Sequence, residues 1–227
     1  MLNYKKIEKR LGIRFQRRTL LKLAFTHSSY VQNARGKLGQ KSNETLEFLG
    51  DAVLELLTRE FLFKKFPKAH EGDLSELKKM YTNTETLYKI GKDLELGKFL
   101  IMDKGEELTG GRDRQSNIAG CLEAIIGALY LDRGLRYVRK FVYQKIFTRE
   151  IDRYEDYKSL LNLWAMRKRC KISYRIVKEH GPEHHKTFFV DLYVDNKKKG
   201  RGCANTKKKA EQEAARKFLK RISYVNT

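Results

Sequence analysis

The sequence predicts a mainly α-helical protein: an all-helical domain over residues 1–153, then a small α-β-β-β-α domain over 154–227. Three observations carry that reading. Up to about Asp152 the apolar residues recur every three or four positions, as a helix face requires. Beyond Tyr154 a helical segment gives way to runs of alternating character and then to a lysine-rich helix. The charge density also changes: residues 155–227 hold 19 basic and 8 acidic side chains, against 30 and 20 in residues 1–154.

Taken in order, the helical repeats run through LKLAF (21–25), VLELLTREFLF (53–63), LYKIGKDLEL (87–96) and CLEAIIGALYL (121–131). GKLGQKS (36–42) and KGEELTGGRDRQS (104–116) are polar and glycine-bearing, and read as loops. TREIDRYE (148–155) is short and polar, a reasonable hinge. After it come the helix YKSLLNLWAMRKR, the strand runs ISYRIVKEH and KTFFVDLYVDNKKKGRG, and the helix TKKKAEQEAARKFLKRI.

The 227 residues are 41% hydrophobic, enough for a real core, and carry a formal net charge of +21. Such a balance says nothing about fold but implies a polyanionic partner. No signal-like apolar segment opens the chain and no run approaches the roughly 20 apolar residues of a spanning helix, so a soluble, cytoplasmic protein without membrane attachment is expected. Cys121, Cys170 and Cys203 are odd in number and widely spaced, which argues against a disulfide framework or a structural zinc site.

Against that positive background stands NETLEFLGDAVLELL (43–57), with carboxylates at Glu44, Glu47, Asp51 and Glu55. On a helix Glu44, Glu47 and Asp51 converge, while Phe48, Leu49, Val53 and Leu56 supply apolar surface. Gly50 lies mid-helix, where it costs about 1 kcal/mol relative to alanine, so it points to a close approach by another backbone. Glu123 lies in an otherwise apolar helix, and a buried carboxylate needs a partner or a metal. Carboxylates from two helices make the oxygen-rich site that Mg²⁺ favours. A cation held there would neutralise scissile-phosphate charge and activate water, and the basic surface would hold the strand. His27, without an acid or cysteine beside it in its motif, is assigned no chemistry.

In the last helix Thr206 can cap, and Lys207, Lys208 and Lys209 crowd the first turn, where the helix dipole favours negative charge. Bound phosphates would resolve that conflict. Phe188, Val190, Leu192, Ala210, Ala214 and Phe218 fit the small domain's core, and Trp164 fits packing better than base stacking.

The run Glu44-Thr45-Leu46-Glu47-Phe48-Leu49-Gly50-Asp51-Ala52-Val53-Leu54 closely resembles the signature of the ribonuclease III family. THSSY (26–30), EGDLSELK (71–78), GGRDRQS (110–116) and EAIIGALYLD (123–132) are similar to further family segments. DYKSLL (156–161), GPEHHKTF (181–188) and GRGCANTKKKAEQEAA (200–215) resemble the family's double-stranded-RNA-binding domain. The resemblance implies catalytic roles for Asp51, Glu123 and Glu44, and a Mg²⁺ site, with Mn²⁺ as a substitute, on Glu47, Asp51 and Glu123. It implies duplex-RNA contacts from Lys158, Ser159, Asn162, His184, Lys207, Lys208 and Lys209. It further implies a homodimer joined by the Phe48-Leu49 side of its helix. The expected activity is Mg²⁺-dependent cleavage of double-stranded RNA to 5′-phosphate ends with short 3′ overhangs, in ribosomal and messenger RNA processing.

Two departures stand out. Asn162 and Leu163 replace the family's usual Gln-Glu. Gly120 stands where the family carries a metal-binding aspartate, and water could fill the missing ligand position. The alternative that Gly120 leaves open is a dimeric duplex-RNA-binding protein with weakened or lost cleavage.

Overall fold

Two long helices cross at the centre of the first unit, and a glycine on each makes the crossing possible. The computed structural model describes residues 2–33, 41–67, 69–148, 157–182 and 186–222. The chain divides into two compact units, Met1–Lys65 with Glu71–Arg149, and Phe66–His70 with Glu150–Thr227. The expected boundary near Tyr154 and most of the expected hinge lie outside the described residues, as does most of the 36–42 loop.

In the first unit α1 (Tyr4–Leu11), α2 (Arg18–Ala24) and α3 (Ser28–Asn33) lead to the long α4 (Glu44–Lys65). Then come α5 (Glu71–Thr82), α6 (Thr84–Asp93), a 3-10 turn at Leu96–Phe99, α7 (Lys104–Leu108), α8 (Gln115–Arg133) and α9 (Leu135–Val142). One π-helical turn, Tyr143–Phe147, follows. Side-chain caps set several starts: Asn3, Asn83 and Asp103 accept from the backbone N–H three residues on, at 3.0, 2.8 and 2.7 Å. The Asp103 cap corrects one expectation, because residues 104–108 form a short helix rather than loop.

Helix α8 is apolar almost all round, with Leu122, Ala124, Ile125, Ile126, Ala128 and Leu129 fully buried, so it runs through the core as a helix of that composition must. Helix α4 packs along it. A Cβ built on Gly50 would fall inside the backbone at Glu123, and one on Gly127 would fall inside the carbonyl of Leu46. The close approach expected at Gly50 is therefore met by a second glycine on the facing helix. At the far end of α8 the buried Asp132 accepts from the backbone N–H groups of Gln16 and Arg17, both at 2.8 Å, tying the N-terminal segment to the core.

The second unit has the expected order. Helix α10 (Tyr157–Lys168) precedes an antiparallel sheet β1-β2-β3 (Ile172–His180, Thr187–Val194, Lys197–Ala204), and α11 (Lys207–Arg221) closes it. Asp195 and Asn196 take positive φ in the β2-β3 turn, the conformation a tight hairpin needs. Gly202 lies directly under α11: a Cβ there would enter the Ala210 carbonyl. Leu160, Leu161, Val190, Leu192, Ala210, Ala214 and Phe218 fill the core, while Phe188 is only half-buried. Trp164 packs edge-on against Phe218 with ring centres 5.0 Å apart, consistent with the packing role expected of it.

Candidate active site and RNA-binding face

The α4-α8 crossing also positions the acids. Because Gly50 lies on the backbone of Glu123, the first turns of α4 and the middle of α8 stand side by side. A pocket of about 440 Å³ opens there, lined by His27, Asn43, Glu44, Glu47, Phe48, Asp51, Ser116, Asn117 and Glu123 among others. The three convergent acids of α4 and the lone acid of α8 therefore share one cavity. Glu55, the fourth acid of the stripe, does not join them. It pairs with Lys78 of α5 and with Arg59 at 2.9 Å, and these contacts hold its carboxyl below the usual range.

Glu44 and Glu47 occupy the first turn of α4, where acids complement the helix dipole. The start of that helix is fixed by the buried Asn43, whose N–H donates to the Thr26 carbonyl at 2.8 Å and whose carbonyl accepts from Glu47 at 2.8 Å. Glu44 is exposed and accepts from the Ser42 hydroxyl at 2.7 Å. Burial pushes the Glu123 carboxyl up to about 8, with the nearby charges of Asp51 and Glu47 adding to the effect. Glu47 is also raised, first by burial and then by Glu44 and Asp51, while His27 pulls the other way.

Gly120, at the position of the missing aspartate, faces the Glu47 side chain of α4. A Cβ at that position would stand 2.5 Å from Glu47 Oε2 and 2.8 Å from Oε1, so the Glu47 carboxylate itself lies in the space a side chain would take. Cys121 is no substitute ligand. It is fully buried, its Sγ–H donates to the Ala24 carbonyl at 3.6 Å, and burial keeps the thiol protonated. Asp113 points elsewhere, pairing with Lys92 at 3.5 Å. Among the described residues no three His, Cys, Asp or Glu side chains close on one point as a ready metal-ligand set. The donors gathered at the pocket are nonetheless carboxylate oxygens crowded by like charge, the chemistry that a hard divalent cation suits.

Among the pocket's members outside the predicted site residues are His27 and Asn117. His27 lines it, with Nδ1 2.9 Å from Ser29 Oγ. Its signal was the THSSY motif, but the backbone pairing of Thr26 with Ile101 that carries it to the acids is long-range. Asn117 lines it too, and its amide donates to Glu106 Oε1 at 2.8 Å. Glu106 also accepts from Arg114 at 2.5 Å, so one carboxylate of α7 secures the turn that leads into α8.

On the second unit Thr206 caps α11, accepting from Lys209 N–H at 3.2 Å, and Lys207, Lys208 and Lys209 are exposed on its first turn. Lys207 also lies 5.5 Å from the Phe188 ring centre and 3.7 Å from Glu179. Asn162 is exposed on α10. Ser159 is half-buried, and Lys158 pairs with Glu211 of α11 at 2.5 Å, joining the two helices. His184 lies outside the described residues. Unexpectedly, the sheet buries a charge: Asp191 is held by Arg201 at 2.6 Å and Lys198 at 2.5 Å, and these hydrogen-bonded cations lower the pKa of its carboxyl.

The family model described as Ribonuclease-III-like matches residues 17–150, which is more than half of the chain. The chain belongs to the ribonuclease III family. A second model, the double-stranded RNA binding motif, matches residues 157–222. Among curated proteins, Ribonuclease 3 of Oceanobacillus iheyensis is 42% identical over 227 residues, covering 98% of this chain and 99% of its own. Ribonuclease 3 of Streptococcus gordonii is 41% identical over 95% of this chain and 94% of its own. Among solved structures, the nuclease domain of ribonuclease III from Campylobacter jejuni superposes with a TM-score of 0.60 at 39% identity, covering 66% of this chain and 99% of that one. Family membership makes the chain a ribonuclease, a phosphodiester hydrolase, with a double-stranded RNA binding motif. Among the described residues no helix is long and apolar enough to cross a membrane.

Proposed function

We propose that the chain is a Mg²⁺-dependent endoribonuclease that cuts double-stranded RNA as a homodimer, leaving 5′-phosphate and 3′-hydroxyl ends with a short 3′ overhang. The observation that carries this reading is one acidic pocket, at the α4-α8 crossing, in a chain of net charge +21. Glu47, Asp51 and Glu123 would hold the cation, which when bound supplies positive charge at the scissile phosphate. Glu44, at the pocket's exposed edge, would orient substrate or water. The Glu123 carboxyl must lose its proton to serve as a ligand, and its raised pKa makes that loss the pH-sensitive event. Mn²⁺ fits the same oxygen donors. Duplex RNA would lie across Lys207, Lys208 and Lys209, with Ser159, Asn162 and His184 addressing minor grooves and Lys158 joining them where its pair with Glu211 allows. Because duplex RNA is read mainly by shape, few base-reading side chains are needed.

The dimer is supported by α4, where Phe48 is 82%, Phe63 69% and Leu56 53% exposed. A stripe of large apolar side chains left in water marks an interface. One of the Campylobacter jejuni nuclease-domain structures, at 40% identity and a TM-score of 0.59, was described for flexibility in its dimer-forming region. Phe48→Glu is expected to give monomers by light scattering, and a variant that stayed dimeric would remove this face from the reading. Processing of ribosomal and messenger RNA precursors in the cytoplasm is the corresponding cellular role.

The deciding experiment is cleavage of a long perfect RNA duplex across a Mg²⁺ titration, with product ends mapped. The chain should cut, and Glu123→Ala should bind the duplex without cutting it. If the parent only shifts the duplex on a gel and Gly120→Asp alone cuts, the role is binding and the cleavage reading is wrong.

A further inference from the structure

A second cavity on the helical unit is larger than the acidic pocket and opposite in character. It is a groove of about 700 Å³ lined by residues from α1, α2, α3 and the 98–112 region. Lys6, Lys22, Lys98 and Arg112 contribute its charges, Tyr30 and Phe99 contribute aromatic rings, and no carboxylate belongs to its lining. Lys98 pairs with Glu95 and Arg112 with Glu107, as Lys64 does with Glu60 and Lys79 with Glu76 elsewhere on the unit, so the groove's uncompensated charge rests on Lys6 and Lys22. Among the described residues neither Lys6 nor Lys22 has an ion-pair partner. Arg112 is held in place by the carbonyls of Gly97 at 3.0 Å and Leu100 at 2.8 Å as well as by Glu107 at 2.5 Å, so one wall of the groove is preorganised. Tyr30 is 41% exposed, an aromatic ring left partly in water beside these cations.

The groove is also joined to the acidic pocket through the backbone. His27 and Ser28 line the pocket, and Tyr30 lines the groove three residues on. The same segment is clamped to the groove's far wall, where His27 N–H donates to the Ile101 carbonyl and Ile101 N–H to the Phe25 carbonyl, both at 2.8 Å. Residues 27–30 thus contribute to both cavities.

We propose that this groove binds unpaired RNA flanking the duplex, with Lys6 and Lys22 on phosphates and Tyr30 stacking on a base. Cations interleaved with an exposed aromatic ring are what single-stranded nucleic acid recognises, because every base has a face to stack. A paired A-form duplex hides those faces, so the groove selects unpaired nucleotides. The proposal rests on the chain's RNA substrate, but it concerns affinity for the flanks rather than cleavage.

The test measures binding by fluorescence anisotropy in Ca²⁺, without turnover, for a blunt duplex, the same duplex with single-stranded tails, and free ATP and GMP. Variants are Lys6→Glu, Lys22→Glu and Tyr30→Ala, with Lys5→Glu as a charge-matched change of an exposed lysine outside the groove lining. The tails should tighten binding by about tenfold, a typical worth of one stacked base with its phosphates. The three groove variants should erase that gain while leaving blunt-duplex affinity unchanged, and Lys5→Glu should keep it. Equal affinity for blunt and tailed duplexes overturns the proposal, as does an equal loss in Lys5→Glu. Groove-dependent binding of the free nucleotides without any effect of the tails overturns it in favour of a small-molecule site. Failure of blunt-duplex binding in the parent would instead count against the duplex-RNA reading itself.

Discussion

Glu123 shows how burial and like charge act on a single carboxyl. Its pKa rises from about 4.5 to about 8, so between those values the folded chain binds a proton that the unfolded chain does not. The contribution to stability is therefore fully present in acid and is lost as pH rises through about 8. In metal-free buffer the melting temperature should fall from pH 5 to 8, the fall should shrink in Glu123→Gln, and added Mg²⁺ should offset it. A Glu123→Gln profile parallel to that of the parent would locate the proton elsewhere. The same variant should lower cleavage by at least about a hundredfold, since even supporting partners of a metal ligand are worth ten- to a hundredfold. Gly120 makes a complementary case. An aspartate there would press on the end of the Glu47 side chain, which can rotate away, so Gly120→Asp should fold normally and lower the Mg²⁺ needed for half-maximal cleavage by roughly tenfold. An unchanged metal requirement would mean that Glu47 already fills the role of the missing acid. The acids themselves were legible in the sequence because their spacing is local. That Glu47 would occupy the space at Gly120 was not, because it depends on how closely two helices pack.

At the scale of the element, the site is a consequence of one helix crossing. Gly50 and Gly127 each meet backbone of the facing helix, and backbone cannot rotate out of the way as a side-chain tip can. Gly50→Ala should therefore force α4 from α8, costing about 1–3 kcal/mol or more in stability and displacing Glu123 from Glu47 and Asp51. Gly72 provides the contrast, since nothing lies within 4 Å of an added Cβ. Gly72→Ala should be neutral or stabilising by less than about 1 kcal/mol. Thermal melts of the two variants would decide: equal behaviour would show that the crossing tolerates more space than its geometry allows. Periodicity in the sequence was enough to find α4 and α8, and the glycine cost was enough to suspect Gly50. The helix at 104–108 is hidden in the sequence because Gly105 and its polar neighbours read as loop, and only the Asp103 cap marks its start. His27 has no acid or cysteine beside it in its own motif, and the pairing of Thr26 with Ile101 that brings its segment to the acids spans 75 residues, which no local pattern encodes.

For the whole molecule, the balance of charge separates two tasks. Most of the 49 basic side chains offer diffuse attraction to any polyanion, whereas four of the 28 acids, Glu44, Glu47, Asp51 and Glu123, meet in the pocket where chemistry is proposed. The order α-β-β-β-α in the second unit was readable from alternation and composition, while the buried Asp191 with Arg201 and Lys198 was not, because its pairing crosses from one strand to the next. That charge cluster and the Lys158–Glu211 pair give Lys198, Arg201 and Lys158 structural partners, which removes three cations from the set left for RNA. Lys207 and Lys208 remain exposed at the start of α11, with a capped helix N-terminus behind them. If each neutralises a phosphate, the logarithm of duplex affinity plotted against the logarithm of salt should flatten by about one unit for each lysine removed. The double variant Lys207→Ala, Lys208→Ala should therefore lower the slope by about two, weaken duplexes of unrelated sequence equally, and leave the melting temperature unchanged. Lys158→Ala should behave in the opposite way, lowering the melting temperature through loss of its bond to Glu211 while changing the slope by less than one. Equal slopes in parent and double variant would place the phosphates on another face of the unit. A slope change confined to one RNA sequence would mean that these lysines read bases rather than backbone.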